Sequence, residues 1–522
     1  MRSSAVFNIV ALVVVTRVAP APGQVPAAPD SVLRAIWTEA IHHSTLESMA
    51  FSMLDSIGPR LTGSPGLAKA NDWIAAQYVR WGVEAKNEQY GTWEGWQRGI
   101  THLDLLEPRV RSLDARLLAY STGLAQPRLA RVMTLPRRID SASIASWLRD
   151  IRGNFVLISR EPLSCRPAES WKRWTGEAGV AAARSAQDSV HATWMRQVMA
   201  LTKQQPDSFY VVLAHAGAVA LLTTDWSGGW GANHVFAALT RDVPYIGVTC
   251  EDYGLLSRLA RRSTPPTARL QAEARALGPV PARNTLGVIR GGEKANETVI
   301  LSAHLDSWDG GSGATDNGSG TLIVMEAMRI LRAHSPRPRR TIMAAHWSGE
   351  EQGLNGSKAF VSDHSELVDG LQILFNQDNG SGRVQEIALL GFTRIGEPVR
   401  GWLGRMPHEL TDSVHVSDPG RPEGATDFQS FICKGVLAIE LGSADFDYNE
   451  YTWHTTIDTS DKLSFSDLRR NAAMLAMLAY LASEEPDRLP RDHLKEAVDR
   501  ATGAKIRVPP CQQPDRVGRP WY

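Results

Sequence analysis

The sequence predicts an α/β protein built on a doubly wound mixed sheet, with a second, β-rich unit inserted into it. Three observations predict this. From Thr298 onward, apolar strand candidates alternate with segments of helical periodicity. Residues 298–303 form an almost unbroken apolar run, as a strand covered on both faces must. Between about residues 110 and 279 the texture changes to short apolar runs punctuated by proline and glycine. At 522 residues the chain is also too long for a single ordinary core.

Taken in order, residues 1–24 read as a signal peptide: Arg2, a short apolar run over 5–15, then a small, proline-rich stretch with cleavage positions near Gly23. The run is too short to span a bilayer; an uncleaved N-terminal anchor is the alternative, because Arg17 sits close to it. Residues 25–110 form the first part of the main domain. Residues 31–53 and 66–83 carry apolar positions at three and four spacing, and the turn-rich loop 58–64 separates these two helices. Residues 111–280 form the insert, with strand candidates at 154–159 and 243–249. Residues 281–485 hold the remaining strands, at 298–303, 341–347, 371–375 and 435–441. They also hold a helix over 321–331 that is apolar on most sides and stops before Pro336. The tail, 486–522, is rich in proline and charge and is expected to pack loosely on the surface.

Lysine plus arginine equals aspartate plus glutamate, 56 against 56, so no global field attracts nucleic acid or an anionic membrane surface. No later stretch is apolar enough for stable membrane insertion. An exported product, periplasmic or secreted, is expected. The oligomeric state is not set by the sequence, and a homodimer stays open. Cys165, Cys250, Cys433 and Cys511 form no close pair, which excludes a cysteine-built metal site. One or two disulfides, or buried free thiols at Cys250 and Cys433, are the alternatives.

Metal-competent side chains fall at the carboxyl ends of the predicted strands, where open α/β sheets bind ligands. His304 and Asp306 follow the first, Glu350 and Glu351 the second, Asp378 the third. His454, in Trp-His-Thr-Thr-Ile-Asp-Thr at 453–459, adds a second imidazole from a distant loop. Two histidines and three carboxylates can hold two zinc-like ions if one carboxylate bridges. Asp316 is the natural bridge, in the glycine-rich loop 313–320 ahead of the buried helix. Each piece has an ordinary reading when isolated: a simple glycine turn, acids at a helix N-terminus, a structural histidine. Adjacent glutamates diverge, so one can bind metal while its neighbour faces the water as general base. Asp306 and Asp458 are candidates to orient the ligands from behind, with a plain turn role equally open for Asp458.

In that order, His304-x-Asp306, Asp316, Glu350-Glu351, Asp378 and His454 with Asp458 resemble the co-catalytic zinc exopeptidases of the bacterial aminopeptidase and glutamate carboxypeptidase family. The segments at 58–64, 246–252 and 304–309 are similar to its plasma glutamate carboxypeptidase branch, and the likeness covers about residues 30 to 485. The resemblance implies a zinc-peptidase domain with two Zn(2+) ions per chain. It places His304, Asp316 and Asp378 on one ion, Asp316, Glu351 and His454 on the other, and makes Glu350 the catalytic base. It also implies that the insert is a protease-associated domain, and that the substrate is the end of a short peptide or a dipeptide, attacked by a metal-bridging hydroxide. Whether the enzyme works as a carboxypeptidase-like dipeptidase or as an aminopeptidase is left open. Tyr448, Tyr451, Arg394 and Arg421 lie in loops able to line the cleft or simply to sit on the surface. A non-catalytic binding protein on the same fold predicts missing ligands, and a glutaminyl cyclase-like acyltransferase needs one zinc; the full ligand set disfavours both.

Overall fold

The computed structural model describes residues 30–498 and 502–518. The signal-peptide assignment, 1–24, lies outside them. Local chemistry sets the first helices. Asp30 caps Ser31–His42 by accepting from Val32 N–H, and Leu33, Ile36 and Ala40 face inward. Ser64 caps Pro65–Arg80 in the same way, with proline in the first turn where its missing N–H costs nothing.

The larger part of the sheet runs Val384–Ala388, Ala438–Ser443, Leu371–Asn376, Lys294–His304, Arg340–Trp347, then Thr267–Ile289. The three central neighbours of this row pair in parallel and the flanks antiparallel, so the sheet is mixed as expected. Arg340–Trp347 and Leu371–Asn376 are buried along their whole length. Such strands are largely apolar on both faces, and each fully buried Ile, Leu or Phe contributes roughly 1.5–3 kcal/mol. Helices Ser319–His334 and Phe465–Glu484 pack into the same core.

Thr267–Ile289 also pairs along most of its length with Glu84–Glu107, forming one long hairpin whose outer half carries the second unit. There Arg128–Met133 pairs antiparallel with Thr267–Ile289, and Phe155–Leu157, Ala220–Thr223 and Tyr245–Val248 follow it in parallel, around cores of their own. This region is less purely strand-built than the sequence suggests. It contains Ser141–Asp150, Cys250–Ala260 and the 34-residue helix Ala168–Leu201. The long helix is weakly patterned and broken at Gly176, whose φ of 66° no helix accommodates, so its periodicity does not stand out.

Of the alternatives open for the cysteines, the structure takes two disulfides: Cys165 bonds Cys250 and Cys433 bonds Cys511. One expectation is corrected: the tail is not loosely packed. Beyond the second disulfide, Val517 and Gly518 pair in parallel with Thr92 and Trp93. Arg516 binds Asp363, and Asp515 N–H donates to Asn355 Oδ1. Backbone and side-chain bonds satisfied one residue at a time leave no signature in composition.

Candidate metal centre

His304 ends the strand Lys294–His304 and is 2% exposed. Its Nδ1 lies 3.0 Å from the Asp306 carbonyl oxygen, which can only accept. The Nδ1–H therefore donates, which leaves Nε2 as the atom that would ligate a metal once its own proton is displaced. Nε2 stands 3.2 Å from Asp316 Oδ1 and 3.1 Å from Asp378 Oδ1. On the other side, His454 Nε2 stands 3.0 Å from Asp316 Oδ2 and 2.9 Å from Glu351 Oε2. Asp316 thus turns one oxygen to each histidine. Two overlapping groups result, His304–Asp316–Asp378 and Asp316–Glu351–His454, each with its ligand atoms within 4.8 Å of one another. Glu350 belongs to neither.

The cluster fits two divalent cations. Asp316, Glu351 and Asp378 are at most 10% exposed; two imidazoles lie directly between them, and the buried Arg60 guanidinium is near enough to interact with Asp316 and Glu351. Glu351 Oε1 is buried with no hydrogen-bond partner. Burial, reinforced by Asp378, Glu351 and Asp427, pushes Glu350 well above the usual carboxyl range against the pull of His304. Burial likewise raises Glu351 to about 7, opposed by His454. Crowded carboxyls of this kind call for positive charge, and a carboxylate and imidazole donor set suits zinc-sized ions.

The surrounding groups hold the ligands rather than add to them. The Asp306 carboxylate does not reach the His304 ring as a hydrogen-bond partner. It accepts from Thr62 Oγ1 and from the backbone N–H groups of Glu350 and Glu351, which fixes the turn that presents both glutamates. Asp458 accepts from Thr315 N–H at 2.7 Å, Thr315 Oγ1 at 2.8 Å and Asp316 N–H at 3.1 Å, so it fixes the bridging loop.

Four groups escaped the sequence reading. Arg60, fully buried, donates to the carbonyls of Leu305, Ser312 and Gly313, stitching both ligand loops to the 58–64 turn. A cation inside an apolar, turn-rich loop is the signal that marks it. Thr426 donates to Asp378 Oδ2, and its neighbour Asp427 is fully buried beside the Ser357 hydroxyl. Phe236, from the insert, meets the His454 ring edge-on at 5.3 Å; nothing local in sequence announces it. Of the cleft-lining candidates, Arg394 is engaged by Asp492 and Arg421 by Glu423 at exposed positions. Tyr448 is half-buried, its hydroxyl raised by burial and by Asp316 and Asp378, and its ring lies over Gly380. Tyr451 lies against Gly229 of the insert.

Residues 284–479 match Peptidase family M28. The chain is similar to carboxypeptidase Q of Xenopus laevis, 24% identical over 466 residues that cover 88% of this chain and 91% of the relative. Among solved structures it is similar to a Peptidase M28 precursor from Shewanella amazonensis SB2B, with a TM-score of 0.62, 23% identity, and coverage of 88% and 97%. It is also similar to a zinc aminopeptidase from Bacillus subtilis, with a TM-score of 0.53, 19% identity, and coverage of 86% and 96%. The two structures share the fold.

Proposed function

We propose that this chain, a zinc metallopeptidase carrying a Peptidase family M28 domain, is a two-zinc exopeptidase acting on dipeptides or the ends of short peptides. One observation carries the reading. Asp316 offers an oxygen to each of two ligand groups, and Glu350 stands beside them without joining either. His304, Asp316 and Asp378 would hold one ion, and Asp316, Glu351 and His454 the other. When bound, such ions supply Lewis acidity that polarises the scissile carbonyl and brings a water towards a pKa of about 7.

The chain's own residues do the rest. Glu350 accepts a proton from the attacking water and returns it to the leaving amine. Asp306 keeps Glu350 in place through its backbone N–H, and Asp458 holds Asp316 between the two histidines. The same reading assigns residues 25–110 and 281–485 to the peptidase domain, 111–280 to a protease-associated insert and 486–522 to a tail. Two disulfides suit an oxidising compartment, which supports export. Among the described residues no helix is long and apolar enough to cross a membrane.

A second reading, attack from the free amino end, is favoured by Asp427. Burial pushes its carboxyl to about 7, and it lies close enough to His304 and Asp378 to feel both charges. A buried carboxyl there, with the Ser357 hydroxyl beside it, suits a substrate ammonium, whereas Arg394 and Arg421 already have acidic partners. Hydrolysis of a dipeptide panel, free and blocked at either end, separates the readings. Loss of cleavage on blocking the amine alone supports aminopeptidase action. Loss on blocking the carboxylate alone supports carboxypeptidase action, and loss with either supports a dipeptidase. No zinc-dependent cleavage of any free peptide would sink the proposal.

A further inference from the structure

The two histidines of the site are held by different means. His304 Nδ1 donates to a backbone carbonyl within its own loop. His454 Nδ1 is buried and has no hydrogen-bond partner. A metal-binding imidazole normally has its ring orientation fixed by such an outer bond. His454 also sits at φ 53°, outside any strand or helix that would fix its backbone.

The inserted unit supplies both missing restraints. Val235 N–H donates to the His454 carbonyl at 2.7 Å, and Thr456 N–H donates to the Asn233 carbonyl at 3.0 Å, bracketing an isolated bridge between His234 and Thr455. Asn233 is anchored in turn, donating through Nδ2 to the Val248 carbonyl at 2.7 Å. The imidazole stacks on Trp453 at 4.0 Å and meets Phe236 edge-on at 5.3 Å and Trp308 at 6.1 Å. Phe236 lies within 5.5 Å of the Trp308 ring and 6.2 Å of the Trp453 ring, so it touches every aromatic group that orients His454. Edge-on aromatic contacts are directional, so they restrain the orientation of the ring.

We infer that residues 233–236 of the insert position His454, so that affinity at the Asp316–Glu351–His454 metal site is set by a segment some 220 residues away in sequence. This rests on the reading of His454 as a ligand. Phe236 is a positioning residue. It makes the insert part of the metal centre as well as a neighbour of the cleft.

Zinc titration of the full chain after chelation, read by calorimetry and by the rate of zinc loss to a chelator, tests it. The panel is wild type, His454→Ala, Phe236→Ala, Phe236→Tyr and Asn233→Ala. Wild type should bind two zinc ions and His454→Ala one. Phe236→Ala should keep both, with one site weakened about ten-fold or more and releasing zinc faster while the other is unchanged. Phe236→Tyr keeps the ring and should restore the wild-type value. Asn233→Ala carries the same expectation as Phe236→Ala if the latter does not fold, as judged by thermal unfolding without metal. Two wild-type affinities in both Phe236→Ala and Asn233→Ala overturn the inference, as does equal weakening of both sites. Retention of two wild-type sites by His454→Ala overturns instead the ligand reading on which it rests.

Discussion

Replacing Glu350 with glutamine separates catalysis from metal binding, because the structure gives this side chain no place in either ligand group. A positioned general base contributes about 10²–10⁴ in rate, or roughly 2.7–5.4 kcal/mol at 1.36 kcal/mol per decade. The variant should therefore lose that factor in kcat/KM while retaining two zinc ions per chain. Its stability should move the other way. Glu350 is pushed well above the usual carboxyl range by burial and by Asp378, Glu351 and Asp427. In metal-free protein a group whose folded pKa is raised costs stability as pH climbs above its unfolded value, near 4.5. The metal-free variant should accordingly match wild type near pH 4.5 and unfold at a higher temperature near pH 7.5. The assays are peptide hydrolysis, elemental analysis for zinc, and scanning calorimetry with and without chelator. Activity within ten-fold of wild type, loss of one zinc, or a lower metal-free midpoint at neutral pH would each refute the reasoning.

Asp458→Ala strips acceptors from two backbone N–H groups and a hydroxyl of the bridging loop; zinc affinity should fall about ten-fold by chelator competition, and an unchanged affinity would leave Asp458 a turn residue. The Cys433→Ser, Cys511→Ser double variant opens a disulfide spanning 78 residues and should lose about 4–5 kcal/mol of stability in denaturant unfolding, with faster proteolysis of the tail; an unchanged midpoint would contradict this. Burial pushes Glu440 up to about 8, helped by Asp378, so in chelated protein Glu440→Gln should gain on wild type progressively from about pH 4.5 to 8, at no more than roughly 1.4 kcal/mol per pH unit, and then level off; a gain at acid pH instead would reverse the assigned sign.

The sheet, and the convergence of most of the candidate site residues, were legible because both are written locally. His304, Glu350, Glu351 and Asp378 each end or follow an apolar strand, and a strand buried on both faces announces its own limits. What lay hidden depends on contacts between distant residues. Arg60 acts on carbonyls more than 240 positions away, and Phe236 on a histidine in another unit. Ala168–Leu201 was obscured by its weak periodicity and its break at Gly176. The tail looked loose because proline and charge describe composition, while its anchors are a disulfide, an ion pair and a short strand pairing.

The strand Thr267–Ile289 serves two masters: one stretch hydrogen-bonds to Arg340–Trp347 and another to Arg128–Met133, with Glu84–Glu107 alongside. A cut made at either end of the second unit would therefore not separate two finished pieces. It would leave a bare row of N–H and C=O groups on each, the kind of raw edge that recruits other chains into aggregates. The protein is modular in its cores but indivisible in its ladder, and fragments taken at these boundaries would need a new edge strand, or charged residues guarding the old one, before they could be handled alone.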